Sequence, residues 1–271
     1  MPVEFLISAL VTLVVVVDPI GLVPSYLAIT HGLPQRARRT VALRAALIAA
    51  GILAGSALIG AWLLHTLSIG LPAFRIAGGL LLFSIASEMV FGVRIERQAQ
   101  QAEQALEEHV RNIAAFPLAI PLMAGPGAIT ATILLAARSD HDPMRLGILL
   151  AVIMTVLAIC FVVLALAARI AKWLGVTANV VASRLLGVLL AALAVQYVID
   201  GVRTALALSF ILLVSAEMIA SRNGLGYLIG FLGDGGNYEA MFAVVLVVAA
   251  IGFFADRLYL AFTNWVLRWR E

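Results

Sequence analysis

The sequence predicts an all-α polytopic membrane protein. It predicts a six-helix core of two inverted three-helix repeats, with helices one and four broken, and about two further C-terminal helices. Three observations carry this. The 271 residues are 63% hydrophobic and 12% charged, with mean hydropathy +1.07, whereas soluble domains carry about 25% charged residues. Two apolar segments are interrupted by turn residues, at Asp18-Pro19-Ile20-Gly21 with Pro24 beyond, and at Gly125-Pro126-Gly127 with Thr130 beyond. Residues of the first half recur about 107 to 109 positions on: Pro19 as Pro126, Arg75 as Arg184, Gly78 as Gly187, Gly92 as Gly201.

Spans are expected at roughly 3–28, 41–65, 73–92, 113–137, 146–168, 181–200, 204–220 and 239–262. At about 1.5 Å per residue most of them reach the roughly 30 Å of hydrocarbon. The two-residue alternation of a barrel strand is absent. The first span, Phe5 to Val17 and onward, begins without a basic region or cleavage site and reads as a retained span. Arg36, Arg38, Arg39 and Arg44 follow it; Arg94, Arg97 and Arg111 follow the third; Arg169, Lys172 and Arg184 surround the fifth and sixth. The intervening loops hold only Arg75, Arg138, Arg145 and Arg203. The N-terminus is therefore expected outside, with loops one, three and five inside. The stretch 94–111, rich in Gln and Glu, is expected to form a cytoplasmic amphipathic helix linking the halves. Three spans per half place the copies in opposite orientation, as in transporters with inverted repeats; chance matching among apolar residues is the bland alternative.

Lipid cannot satisfy loose backbone, so a broken span must be buried in protein or line a wet cavity. Paired breaks in the two halves point to a binding site. Asp18 lies deep in the first span, where a carboxylate is costly and so faces protein or water. It fits either substrate or proton binding, or an N-cap on the helix restarting at Pro19. Gly21 allows close backbone approach, and Pro19 and Pro24 each remove an amide donor. Gly125, Pro126 and Gly127 offer no ionisable group. Their expected contribution is a half-helix N-terminus for a substrate carboxylate, with hydroxyls from Thr130 and Thr132. A kinked packing helix is the other reading. Glu88 and Gln196 are further candidates; Glu88 could simply reach the cytoplasmic interface, and Gln196 could join helices by hydrogen bonding.

Composition excludes several classes. No basic stripe alternates with aromatics, so no nucleic-acid partner is expected. His31, His65, His109 and His141 lack metal-site spacing, and the single Cys160 admits no disulfide or thiolate metal site within one chain. No G-x-x-x-x-G-K-[ST] motif is present, so ATP hydrolysis by that route is not expected. No cofactor and no enzymatic activity are expected.

Residues 1 to about 203 resemble the MarC family of bacterial inner-membrane proteins, also called the neutral amino acid transporter family. The resemblance is carried by Asp18-Pro19-Ile20-Gly21-Leu22-Val23-Pro24, Arg75-Ile76-Ala77-Gly78-Gly79, Pro121 through Thr130, and Arg184-Leu185-Leu186-Gly187 running to Gln196 and Asp200-Gly201. It implies six spans and, in some members, proton-coupled transport of small neutral amino acids. Residues from about 201 to 271 look instead like the C-terminal part of an ABC importer permease of the taurine, sulfonate and nitrate type. The permease's ATPase-coupling loop is absent, so an ATPase partner is not expected. The division expected is a transport core at 1–203 and an appended fragment at 204–271.

The reading this supports is a secondary carrier in the bacterial inner membrane for small neutral amino acids or related solutes. A channel, a nonfunctional fusion and a permease subunit are the alternatives. Eight spans from an outside N-terminus would place Arg257, Arg268 and Arg270 outside, against the basic-residue rule. A reporter fused after Glu271 checks this: a cytoplasmic signal contradicts the eight-span count, and an external one supports it.

Overall fold

The computed structural model describes residues 2–94, 97, 114–139 and 142–266, with the backbone alone at 2, 172–179 and 264. Most of the expected linker helix at 94–111, together with His109, His141, Arg268 and Arg270, lies outside the described residues. Among the described residues every regular element is helical: α1 (Pro2–Val17), α2 (Leu22–Ile29), α3 (Gln35–Thr66), α4 (Leu71–Phe91), α5 (Ala114–Met123), α6 (Pro126–Ala137), α7 (Pro143–Ala165), α8 (Ala167–Ala220), α9 (Leu225–Asp234) and α10 (Tyr238–Val266). Five helices are long and apolar enough to span a bilayer, or up to seven if the bent pairs α1–α2 and α5–α6 each count as one. The bends are 45° and 57°. Contacts divide the chain into two units, Met1–Val198 and Ile199–Glu271.

Local sequence sets the helix ends. Pro34 precedes α3, and Pro72, Pro126 and Pro143 sit in the first turns of α4, α6 and α7, where a missing amide hydrogen costs nothing. Asp142 caps α7 by accepting from the Met144 amide at 2.9 Å. Gly92 ends α4 with φ 82°, a left-handed cap suited to glycine.

In the first unit, α3 buries a stripe of small residues, Ala42, Ala45, Ala46, Ala49, Ala50, Leu53 and Ala57. This stripe lets α7 approach with Leu149, Val152, Ile153, Val156 and Cys160. The broken pair α1–α2 packs on α7, and the broken pair α5–α6 packs on α3. Helices α4 and α8 meet through glycines. A Cβ on Gly79 would lie 2.8 Å from the Ala194 carbonyl oxygen, and one on Gly187 would lie 2.8 Å from Met89 Cβ. Gly79 thus meets α8 beyond the point where Met89 meets it, so the two run antiparallel where they cross. Outward-facing Trp62, Leu80, Leu185 and Val188 are exposed, as lipid contact requires.

In the second unit the end of α8 pairs with α10. Tyr259 donates its hydroxyl to the Ile199 carbonyl at 2.8 Å. Arg203 grips Asp256 with two bonds of 2.7 and 2.8 Å, and Phe210 lies over Gly252. Glu217 accepts from the Gly226 amide at 2.9 Å and caps α9, which makes a chain turn at Gly224 (φ 115°) self-contained. The apolar side chains of α10, such as Phe254 and Leu258, point outward.

The expectation of separate spans at 181–200 and 204–220 is corrected. The structure joins them, and the segment around Lys172, in a single helix of 54 residues. A lone glycine costs a helix only about 1 kcal/mol, so Gly201 does not end it. The apolar part, Val180–Ala220, has 41 residues. At 1.5 Å each this is about 60 Å, roughly twice the hydrocarbon thickness. The short helix α9 was also not foreseen.

Tight α4–α8 packing has a measurable consequence. Gly79→Ala and Gly187→Ala should each lower stability by about 1–3 kcal/mol, read as a lower unfolding temperature in detergent. Gly51→Ala, which meets nothing within 4 Å, should be neutral or stabilising.

Candidate functional site

The first break forms because Asp18 leaves the helical region. Its amide still closes α1 on the Val14 carbonyl at 2.9 Å, but its own φ is 52°. Pro19 follows with no amide hydrogen. Asp18 Oδ1 accepts from the Gly21 amide at 3.0 Å, and Oδ2 faces the Ser183 hydroxyl of α8 at 3.4 Å. The carboxylate is almost wholly buried. It lies so close to Gly21 that a Cβ there would strike it. Asp18 thus holds the turn that precedes α2, whose own N-cap residue is Gly21 and carries no side-chain cap.

The break leaves the Val16 carbonyl without its helical donor. Arg94 supplies one: Nη2 donates to the Val16 oxygen at 3.0 Å, and Nη1 contacts Met89 Sδ at 2.9 Å. Arg94 as a whole is only 7% exposed. It also places a positive charge near the Asp18 carboxylate. The guanidinium therefore satisfies the buried carbonyl directly and acts on the buried carboxylate through space. Arg97, half exposed, pairs with Glu88 of α4 at 2.5 Å.

The second break has a different build. Segment α5 makes wide helical turns, including Ala124 N–H to the Ala119 carbonyl at 2.8 Å. Phe116 and Ile120, each before a proline, are extended. Gly125 precedes α6, and a Cβ on it would strike the Pro121 carbonyl oxygen. Pro126 opens α6 with no side-chain cap. The amides of Gly127 and Ala128 are among the helix's unsatisfied donors. They border a cavity of about 270 Å³ whose wall also includes Val16, Ile85, Arg94 and Arg97. Gly127 is tightly placed: a Cβ would lie 2.5 Å from Ile85 Cδ1.

The predicted residues therefore separate. Gly125, Pro126 and Gly127 line the cavity. Asp18, Pro19 and Gly21 frame the first break behind Arg94, and Pro24 sits exposed in the first turn of α2. Thr130 is buried with its methyl toward Gly78, and the Thr132 hydroxyl is buried without a partner among the described residues. Glu88 holds Arg97. Gln196 is half-buried on α8 beside Tyr197, whose ring carries the Arg138 guanidinium at 4.8 Å.

Arg94, Arg97, Ile85 and Ser183 were not foreseen as site residues. A signal for Arg94 exists: Gly92-Val93-Arg94 recurs as Gly201-Val202-Arg203, at the offset of the Arg75 and Arg184 pair.

Apolar helices of spanning length, two of them broken, with a buried guanidinium closing one break, define an integral membrane protein. The chain belongs to the MarC family: the model described as MarC family integral membrane protein matches residues 3–206. A UPF0056 membrane protein of Methanocaldococcus jannaschii is 34% identical over 209 residues, 76% of this chain and 100% of that protein. One from Archaeoglobus fulgidus is 34% identical over 201 residues, 73% of this chain and 92% of its own. The membrane protein YhcE of Escherichia coli is 34% identical over 188 residues, 69% of this chain and 86% of its own. No solved structure matches. The family match ends at residue 206, and the likeness of residues 201–271 to an importer permease finds no support in these comparisons.

Arg94→Met should cost about 1–3 kcal/mol of stability, because it leaves the buried Val16 carbonyl without its donor and removes the positive charge near Asp18. Adding Asp18→Asn should restore part of that loss in thermal unfolding. Strict additivity of the two substitutions would contradict the coupling.

Proposed function

We propose that this chain is a secondary transporter of small neutral amino acids or related solutes across the bacterial inner membrane. The observation that carries the proposal is the buried side chain of Arg94. It closes the first break and lines the cavity at the second, so one site senses both broken helices. The cavity offers what a small zwitterion needs at its acidic end: backbone amides at the positive end of a helix dipole. Val16 and Ile85 supply an apolar wall.

Alternating access follows from the halves. The antiparallel α4–α8 crossing supports the inverted repeat, as does the exchange by which each broken pair packs on the other half's long helix. Rocking one half against the other would change the opening of the cavity while Arg94 follows the first break. Asp18 is assigned the coupled proton or ion. It has no place in the cavity wall as it stands, so its partners must change when α2 moves. Residues 207–271 lie outside the family match, and the transport core is assigned to the residues before them.

Uptake of labelled glycine and alanine into proteoliposomes under a pH gradient tests the function. Saturable, gradient-driven uptake is expected; unitary currents without saturable counterflow would favour a channel. Asp18→Asn should remove the dependence on the gradient, and unchanged coupling would refute its role. A chain ending at residue 206 should transport with an unaltered KM.

A further inference from the structure

We propose that Arg94 is the carboxylate-binding residue of this site, acting with the amide end of α6. The inference rests on the transport reading and assigns the recognition chemistry within it. Arg94 and the residues Gly125 to Ala128 share one cavity. The guanidinium is held before any ligand arrives, by the Val16 carbonyl on one nitrogen and Met89 sulfur on the other. Those bonds engage two of its five N–H groups. The rest have no partner among the described residues.

The charge pattern favours an anion. Among the described residues the cavity wall carries two arginines and no carboxylate. Glu88 stands back with Arg97, and Asp18 is turned toward Gly21 and Ser183. Among the described residues Cys160 of α7 is a further titratable group near Asp18. A fork of N–H donors beside uncapped helix amides matches the two oxygens of a carboxylate. The space left to the rest of the ligand is bounded by Ile85 and Gly127, which sit too close together for a methyl group on Gly127. A short aliphatic carboxylate or amino acid fits this wall.

The test is binding to the full-length chain in detergent, read by calorimetry, with alanine, propionate and alaninamide as probes. Alanine and propionate should bind, and alaninamide, which lacks the carboxylate, at least about tenfold more weakly. Arg94→Lys keeps a donor for Val16 and hence the fold, checked by an unchanged elution profile. It should weaken alanine about tenfold through loss of the fork. Arg94→Gln should abolish binding. Equal affinity for alaninamide, unchanged affinity in Arg94→Lys, or no carboxylate binding by the wild type each overturns the inference. Amino-acid uptake with Arg94-independent binding would sink it and leave the transporter reading intact. Arg94-dependent propionate binding without any uptake would do the reverse.

Discussion

The core depends on how main chain freed at a helix break is satisfied where water is absent. Each unpaired peptide group in that setting costs several kcal/mol. At the first break the cost is met by a side chain distant in sequence: Arg94 reaches the Val16 carbonyl across 78 residues. That one bond ties the turn after α4 to the middle of the first span. It also places a positive charge near the buried Asp18. The local bond from Asp18 to Gly21 and the distant one from Arg94 are two parts of a single solution.

The second break solves the same problem differently and so leaves something over. Gly125 and Pro126 start α6 abruptly, with no side chain to cap it. Its free amides border a cavity rather than a partner. The asymmetry between the breaks is functional under the transport reading: one is closed internally and carries the charge, the other is open and carries the donors. The glycines follow from this. Gly21 yields to the Asp18 carboxylate, Gly125 to the Pro121 carbonyl, and Gly127 to Ile85.

Much of the fold was legible because its signals were chemically loud. Asp, Pro and Gly in the midst of Val and Leu cannot be overlooked, and both breaks stand where the sequence puts them. The continuity of α8 through Gly201 was not legible. A helix tolerates one glycine, and the basic Arg203 beside it finds Asp256 within the second unit rather than marking a loop. Arg94 was hidden for a related reason. Its sequence neighbourhood is a basic loop of the kind that anchors to the cytoplasmic side, and only the fold shows the guanidinium turned inward. The three-residue recurrence Gly92-Val93-Arg94 and Gly201-Val202-Arg203 was the available clue. The cavity itself depends on Ile85 and Val16 meeting Gly127, which no local pattern announces.

The central claim is that the cavity between Arg94 and the start of α6 is where solute binds. An experimental structure of the full chain in lipid with alanine bound tests it most directly. The account predicts density with its carboxylate against Arg94 and the amides of Gly127 and Ala128. Density in the separate cavity of about 340 Å³ beside Tyr26, Arg38 and Arg39, with the space at Arg94 empty, would contradict it.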